Sequence, residues 1–202
     1  MGKLILVRHG ESVGNREKIF TTTPVELALT DIGREQARQA AARIASEFKP
    51  KLVVTSSYLR AKHTGEIIAE ALGLPLEVEH ALHERLIGQF MGKPYEAVME
   101  APGYDPERPW LWKPPGGESF EDVRMRVGPI IDKLASAHGE SEIVVVSHGG
   151  VMMAMWAHVT GSWEGAYVPP NCGILLVEHR FPRYERPRVI GPERGDESPI
   201  SG

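Results

Sequence analysis

Short, almost wholly apolar runs recur along this chain and are separated by segments with helical periodicity. Three of them, at residues 4–7, 52–54 and 143–146, are rich in Leu, Ile and Val. Continuous rather than alternating apolarity is typical of parallel strands that are covered on both faces. The pattern therefore predicts three buried parallel strands. The runs at 76–78 and 173–177 predict two further strands, whose direction the pattern does not give.

The segments between these runs have the spacing of amphipathic helices. Apolar residues recur at i, i+3, i+4 and i+7 from Thr30, a suitable N-cap, to Phe48. A second helix is expected after Ser57 and should stop at Gly73. Two more are predicted over 118–137, with a kink at Pro129, and over 152–158. The alternation predicts an α/β fold with a mostly parallel central sheet and helices on both faces.

Two segments depart from this alternation. Residues 88–117 are rich in Gly, Pro and Trp and predict a cap-like excursion over the active-site edge of the sheet. Residues 181–202 contain several prolines and arginines and no apolar periodicity, which predicts a poorly ordered tail. We therefore expect a single domain over residues 1–180.

Composition narrows the possible classes of protein. The chain has 202 residues, of which 42% are hydrophobic and 25% charged, as in soluble single-domain proteins. Its one cysteine excludes an intramolecular disulfide and a cysteine-based zinc site. A formal charge of −4 gives no overall signal for nucleic acid. Apolar runs are too short for a membrane span or a signal peptide, so we expect a cytoplasmic protein without a membrane partner.

Basic and glycine residues follow the predicted strands. The first strand runs into Arg8 and His9, the second is followed by Arg60, and the third runs into His148 and Gly149. Ligands of open α/β sheets bind at the carboxyl ends of the strands, so these groups are expected to converge. Clustered positive groups repel one another unless an anion neutralises them. The sequence therefore predicts an anion-binding site at this edge.

The residues at these strand ends resemble a known family. Residues 6–15, Leu-Val-Arg-His-Gly-Glu-Ser-Val-Gly-Asn, are similar to the signature of the histidine phosphatase superfamily, which includes cofactor-dependent phosphoglycerate mutases. Supporting stretches lie at 29–37, 55–61, 83–85 with Gly88 and Gly92, 117–119 and 146–150. The resemblance extends to about residue 177 and implies a phosphoglycerate mutase-like fold.

The resemblance also implies a set of catalytic residues. His9 would be the nucleophile that takes the phosphoryl group as phosphohistidine. Arg8, Arg60 and His148 would hold the non-bridging oxygens of the phosphoryl group. Glu84 would protonate the leaving alkoxide and then deprotonate the attacking water.

Further implied contacts to the phosphate come from Asn15, from the N–H of Gly149 and from Thr21. No metal and no other cofactor is implied, because the positive charge comes from side chains. The expected partner is a small phosphorylated metabolite such as a sugar phosphate, a phosphorylated hydroxyacid, phosphoserine or a nucleoside monophosphate. The protein is expected to be a monomer or a homodimer.

Three alternatives to a phosphatase are open. The pattern Gly10-Glu11-Ser12-Val13-Gly14 also fits the nucleophile elbow of a serine esterase, with Ser12 as nucleophile, although in that class other strands normally precede the elbow. A 2,3-bisphosphoglycerate-dependent phosphoglycerate mutase is the rival within the family, and the pair Glu84-Arg85 is similar to the mutases. A weakly catalytic binding protein is the third, but it would have little need for Glu84.

The excursion favours hydrolysis over the mutase reaction. Mutases of this family use a longer and more basic segment to hold substrate carboxylates, whereas residues 93–117 contain only Lys93, Arg108 and Lys113 as cations. Trp110 and Trp112 could line a cap over the leaving group or could simply pack the excursion. The sequence therefore favours a metal-independent phosphomonoester hydrolase.

Overall fold

Four of the predicted apolar runs form parallel strands in one sheet. The computed structural model describes residues 1–21 and 28–190. Its parallel strands are β1 (Gly2–Arg8), β2 (Leu52–Ser56), β3 (Leu76–Glu79) and β4 (Glu142–Ser147), in the order β3-β2-β4-β1. Residues 4–7 of β1 are at most 2% exposed, as expected for a strand covered on both faces. The predicted mostly parallel sheet is confirmed.

Three antiparallel strands complete the sheet beside β1. Strand β5 (Ile174–Arg180) pairs with β1, and β6 (Arg183–Tyr184) and β7 (Arg188–Ile190) pair with β5. The segment after residue 180 was expected to be a poorly ordered tail, but β6 and β7 continue the sheet. They cover backbone groups that β5 would otherwise present as an open edge. Residues 191–202, the rest of the predicted tail, lie outside the described residues.

Helices cover both faces of the sheet, as predicted. They are α1 (Val13–Glu17), α2 (Asp31–Glu47), α3 (Leu59–Leu72), α4 (Phe120–His138) and α5 (Gly149–Thr160). Val144 and Val146 of β4 belong to a core cluster with α2 and α3. Ile143 and Val145 belong to a second cluster with α4 and α5. The two cores therefore lie on opposite faces of the sheet.

The helix ends follow local sequence signals. The Thr30 side chain accepts a hydrogen bond of 3.0 Å from the Gly33 N–H, and Gly73 ends α3 in the left-handed region at φ 64°. Ser119 caps α4 reciprocally with Asp122, and Pro129 lies inside that helix. Helix α5 begins at Gly149, earlier than predicted, so the Gly149-Gly150 pair forms its first turn. In the described ranges, no helix is long and apolar enough to cross a membrane.

The Pro- and Trp-rich segment packs around its own apolar cluster. It contains the short 3-10 helices Gly88–Phe90 and Tyr95–Val98. Phe90, Val98 and Trp112 are buried together with Phe20 from the loop after α1. The Trp112 indole N–H donates to the Pro102 carbonyl at 3.3 Å, and the Trp110 ring stacks on Trp163 at 6.0 Å. Both tryptophans are thus engaged in packing.

Candidate active site

The carboxyl ends of β1, β2 and β4 bring basic residues together at one edge of the sheet. His9 follows β1 and His148 follows β4, and because these strands are adjacent and parallel the two rings meet edge to face, with centroids 5.2 Å apart. Arg60 lies in the first turn of α3, the helix after β2, and its Nε donates to His9 Nε2 at 3.0 Å. The sheet topology thus produces the predicted convergence.

The contacts of His9 fix its tautomer. Nδ1 lies 2.7 Å from the Gly10 carbonyl, which can only accept a hydrogen bond, so Nδ1 carries the proton. Nε2 accepts from the Arg60 guanidinium, which can only donate, so Nε2 carries the lone pair. Burial lowers the pKa of His9 well below its usual value, and the charges of Arg60 and Arg8 lower it further. His9 is therefore a neutral imidazole whose Nε2 lone pair lies beside a cation.

His148 is a second neutral imidazole with a free donor position. It is fully buried, and its Nε2 lies 2.9 Å from Ser56 Oγ, which itself accepts from the Tyr58 N–H. A hydroxyl can donate or accept, and the tautomer in which Ser56 donates to Nε2 carries the His148 proton on Nδ1. Burial lowers the pKa of His148 well below its usual value, and Arg60 and His9 lower it further. Nδ1 is buried with no partner among the described residues.

The two arginines of the predicted phosphate pocket have different surroundings. Arg60 is 4% exposed, and its Nη1 has no hydrogen-bond partner in the described part of the chain. Burial lowers the pKa of Arg60 from its usual value, but a guanidinium remains protonated at neutral pH. Arg8 is also buried and donates from Nη1 to the Pro169 carbonyl at 2.9 Å. A buried donor without a partner is costly, so Arg60 Nη1 favours an anionic ligand.

Glu84 lines the same cavity as His9 and Arg60. Its Oε1 accepts from the Arg85 N–H at 2.7 Å and its Oε2 from the Gly150 N–H at 3.2 Å. A Cβ atom at Gly150 would lie 2.5 Å from Glu84 Oε1 and 2.9 Å from a ring carbon of Phe120, so the first turn of α5 needs glycine there. The carboxylate is held on backbone donors at the start of a helix.

One cavity connects most of these groups. Its polar lining residues are His9, Asn15, Thr21, Arg60, Glu84, Arg85 and Tyr95, and its apolar ones are Phe20, Ile87, Phe120, Met153 and Val168. Gly150, not the predicted Gly149, lies in this wall. Arg8 and His148 are not among the lining residues, and the His148 ring lies against the ring of the lining residue His9. The predicted residues thus fall into a lining set and a supporting set.

Asn15 is fixed by a small polar network. Its Oδ1 accepts from the Ser12 N–H at 3.1 Å and from the Asn171 amide at 3.3 Å, and its Nδ2 donates to the Tyr95 hydroxyl at 3.4 Å. Asn171 also donates to the His9 carbonyl at 3.0 Å. Sequence reasoning did not single out Asn171, because a lone Asn after two prolines is typical of an ordinary turn.

Ser12, the nucleophile of the esterase alternative, serves as a helix cap. It is 1% exposed, its Oγ donates to Asn15 Oδ1 at 3.0 Å, and it forms a capping box at the start of α1. No histidine among the described residues is hydrogen-bonded to it, so the base that a serine nucleophile requires is missing.

Metal ligands are not clustered in this site. Among residues 1–21 and 28–190, no group of three or more His, Cys, Asp or Glu side chains could hold a metal ion. The positive charge near His9 is instead supplied by guanidinium groups, which bind phosphate oxygens through paired N–H donors.

The arrangement matches one family in particular. The family model of the histidine phosphatase superfamily (branch 1) matches residues 4–182. The chain belongs to the histidine phosphatase superfamily. It is 36% identical over 162 residues to a 2,3-bisphosphoglycerate-dependent phosphoglycerate mutase of Chelativorans sp.. That alignment covers 69% of this chain and 77% of the mutase. It is 32% identical over 164 residues to a metal-independent phosphoserine phosphatase of Arabidopsis thaliana, covering 78% and 68% of the two chains.

A solved structure extends this likeness to the fold. The chain superimposes on mycobacterial glucosyl-3-phosphoglycerate phosphatase complexed with VO3 with a TM-score of 0.80 and 27% identity, covering 93% of this chain and 96% of the other. The protein is thus an enzyme, a histidine phosphatase with the predicted phosphoglycerate mutase-like fold. The family prediction is confirmed.

Sequence reasoning left one conspicuous lining residue of this histidine phosphatase without a role. Arg85 stands in the quoted stretch 83–85, but beside Glu84 it was treated only as part of the motif. Its side chain is 6% exposed and lines the cavity. The available signal was the position of this arginine directly after Glu84.

Proposed function

We propose that the protein hydrolyses phosphomonoesters of small metabolites through a phosphohistidine on His9. The observation that carries the proposal is the Nε2 lone pair of His9, held beside Arg60 in a cavity that Glu84 also lines. A phosphate dianion in this cavity would receive the donors Arg60 Nη1 and His148 Nδ1, which are buried without partners in the described residues. Asn15 and Thr21 would complete the lining around it.

The reaction has two balanced steps. In the first, the Nε2 lone pair of His9 forms a bond to phosphorus while the ester P–O bond breaks, and protonated Glu84 gives its proton to the leaving alkoxide. In the second, the Glu84 carboxylate takes a proton from water, the resulting oxygen nucleophile attacks phosphorus, and the P–N bond breaks. Its electron pair returns to Nε2. The products are an alcohol and inorganic phosphate.

Hydrogen-bond donors held in fixed positions are the main source of rate acceleration in this proposal. Negative charge spreads over the non-bridging oxygens as phosphorus changes partner, and donors that are already in position stabilise it without reorganisation. Arg60 Nη1 and His148 Nδ1 are such donors, because neither has a protein partner in the described residues to give up.

The lining of the cavity favours hydrolysis over the mutase reaction. Of the described residues 88–117, Tyr95 lines the cavity, whereas Lys93, Arg108 and Lys113 do not. A mutase must hold its intermediate while it reorients, which requires additional charged contacts. A relative named as a mutase nevertheless shares 36% identity, so the two reactions have to be separated by experiment.

The test is a hydrolysis screen of phosphomonoesters on wild type and on His9→Ala, with and without a chelator. We expect phosphate release that resists the chelator, and an enzyme-bound phosphoryl group that is labile to acid but stable to base. His9→Ala should lose both, by at least about 1,000-fold for turnover. His138→Ala, a change at the last turn of α4, is the matched control and should keep both.

Two results would contradict the proposal. Phosphate release by His9→Ala at the wild-type rate would exclude His9 as nucleophile. Rapid conversion of 3-phosphoglycerate to 2-phosphoglycerate in the presence of the bisphosphate primer, without net phosphate release, would assign the protein to the mutases.

A further inference from the structure

Tyr95 brings a phenol to the cavity from the Pro- and Trp-rich excursion. It is the one described residue of 88–117 that lines the cavity together with His9 and Arg60. Its hydroxyl oxygen lies 3.4 Å from Asn15 Nδ2. The phenol is thus next to a side chain that lines the proposed phosphate site, and the proposed reaction gives it no task.

The hydrogen bond between Asn15 and Tyr95 has a defined direction. Asn15 Oδ1 lies 3.1 Å from the Ser12 N–H, which can only donate, so this branch of the amide is the oxygen. The other branch is the NH2 group, and it donates from Nδ2 to the Tyr95 oxygen. Tyr95 is therefore the acceptor in this contact, and its own hydroxyl hydrogen is left for another group.

Among the described residues, no protein group accepts the Tyr95 hydrogen. The lone pair of His9 Nε2 accepts from Arg60 Nε at 3.0 Å and is not available to it. Burial raises the pKa of Tyr95, although the hydrogen bond from Asn15 lowers it in part, so the hydroxyl keeps its hydrogen at neutral pH. A donor that the protein leaves unpaired in a ligand cavity is available to an anionic acceptor.

The Tyr95 ring is held in place by the loop after α1. Its backbone N–H donates to the Lys18 carbonyl at 3.1 Å, and Pro94 forms a β-bridge with Ile19. The ring itself lies against the Phe20 ring, with centroids 4.8 Å apart. The hydroxyl therefore needs little reorganisation to meet a ligand, which is what allows a donor to lower a reaction barrier.

The neighbours of the Tyr95 hydroxyl indicate which substrate oxygen it would meet. Asn15 lies in hydrogen-bonding contact with it, and Asn15 and Arg60 are both proposed to bind the phosphoryl group. The leaving oxygen is assigned to Glu84 instead. A phenol among the phosphoryl-binding groups is placed to serve a non-bridging oxygen.

We propose that Tyr95 is a further catalytic residue, whose hydroxyl donates a hydrogen bond to a non-bridging oxygen of the phosphoryl group. The inference rests on the proposed function and extends its phosphate site to the excursion. Tyr95 keeps its proton throughout the reaction and stabilises the negative charge that spreads over these oxygens as phosphorus changes partner. The hydrogen bond is therefore stronger in the transition state than in the phosphate complex.

The experiment removes the hydroxyl and keeps the ring. Tyr95→Phe should lower kcat/KM for phosphomonoester hydrolysis by at least about tenfold, the effect of one hydrogen bond to a charged acceptor. Orthovanadate forms a five-coordinate complex that resembles the transition state, so its affinity should fall about tenfold, whereas that of inorganic phosphate should fall only about threefold. Competitive inhibition and calorimetry measure the two affinities.

Two further variants make the comparison specific. Tyr104→Phe makes the same change in the same excursion, at a ring that packs on Trp112 at 5.5 Å and is not among the lining residues. It should keep kcat/KM and both affinities within about twofold of wild type. Asn15→Ala tests whether Tyr95 acts only by holding the Asn15 amide. In that background Tyr95→Phe should still lower kcat/KM by at least about threefold, because a direct donor does not depend on Asn15.

The outcomes separate this inference from the proposed function. Wild-type kcat/KM and wild-type affinities in Tyr95→Phe would overturn the role of Tyr95 and leave hydrolysis intact. A loss that disappears in the Asn15→Ala background would show that Tyr95 acts through Asn15, which overturns the direct contact. If wild type hydrolyses no phosphomonoester, a selective loss of vanadate affinity in Tyr95→Phe would refute the proposed reaction but retain Tyr95 as a donor to the bound anion.

Discussion

At the scale of single residues, the central feature is a pair of neutral imidazoles, those of His9 and His148. Both lie next to permanent positive charges. Burial is the largest cause that lowers the pKa of His9 and of His148, and the guanidinium of Arg60 lowers both further. A neutral imidazole needs no general base before it attacks phosphorus. The nucleophile is therefore ready at neutral pH and under moderately acidic conditions.

This environment predicts the titration of both rings. By NMR, His9 and His148 of wild type should titrate below 6.5, the ordinary value for histidine. Arg60→Gln should raise the pKa of both rings but leave them below 6.5, because burial is the larger cause. A pKa at or above 6.5 for His9 in wild type would contradict the buried, neutral state.

The same shift predicts how stability depends on pH. Below pH 6.5 the unfolded chain binds protons at these rings and the native chain does not, so the free energy of unfolding falls with falling pH by up to about 1.4 kcal/mol per unit for each ring. Urea unfolding between pH 7.5 and 5.5 measures the slope. The variant His9→Gln/His148→Gln should have a shallower slope, and because His179, whose pKa is also lowered, is present in both proteins, the difference isolates the two rings.

The sequence could predict the residues at strand ends but not the burial of Arg85 in the cavity wall. His9, Arg60 and His148 each follow an apolar run, and parallel strands must bring their carboxyl ends to one edge. Arg85 follows no such run. Its position depends on Phe120 and Trp112, which are distant in sequence and approach only when the excursion packs against the start of α4.

At the scale of helices and loops, an ion pair positions the segment that carries Glu84. It joins Arg126 on α4 to Glu118, which precedes that helix. The Arg126 guanidinium donates to the carbonyls of Ala81 and His83, before Glu84, and pairs with Glu118 at 2.9 Å. The Glu118 carboxylate accepts from the Leu86 N–H at 3.0 Å, after Glu84. Contacts on both sides of Glu84 thus tie an irregular loop to a helix.

Arg126→Met should separate the role of this ion pair in catalysis from its role in stability. The Arg126 and Glu118 side chains are 19% and 16% exposed, and loss of one partner should lower the free energy of unfolding by about 3 kcal/mol. Turnover of alkyl phosphates should fall about tenfold, because Glu84 is displaced from the leaving oxygen. Turnover of p-nitrophenyl phosphate should fall less, since its leaving group needs little help from an acid.

The control for this experiment lies on the same helix. Arg124 pairs with Glu121, and their side chains are 30% and 35% exposed. Arg124→Met should therefore cost at most about 1 kcal/mol and leave both activities unchanged. An equal loss on both substrates in Arg126→Met would indicate general disruption rather than a displaced acid.

The regular elements could be predicted well because their signals are local. Thr30 marks the start of α2 through its capping side chain, and Gly73 marks the end of α3 through its left-handed backbone conformation. The two helices begin and end at these residues, respectively. Strands β6 and β7 have two and three residues, too few for any period to be visible. The direction of β5 was also hidden, because an apolar run has the same pattern in either direction.

For the whole molecule, the important contrast is between the negative net charge of the chain and the positive charge at the candidate active site. The chain carries a formal charge of −4, yet Arg8, Arg60 and Arg85 are each at most 6% exposed near one cavity. Composition concealed this cluster, because the sum over the chain is negative. Folding concentrates the cations in one place, and an anion that binds there would recover part of the cost of burying Arg60, whose Nη1 has no partner among the described residues.

Inorganic phosphate should therefore stabilise the fold as a whole. A ligand that binds only the native state adds RT ln(1 + [L]/Kd), about 2.7 kcal/mol at 100 times Kd, which for a chain of this size raises Tm by about 5–10 °C. Calorimetric melting with phosphate, against sodium chloride at equal ionic strength, measures the shift. Arg60→Gln should lose most of it, whereas Arg38→Gln, at a side chain that is 61% exposed on α2, should keep it. Equal shifts in wild type and Arg60→Gln would mean that phosphate acts on the surface and that the buried guanidinium is compensated without an anion.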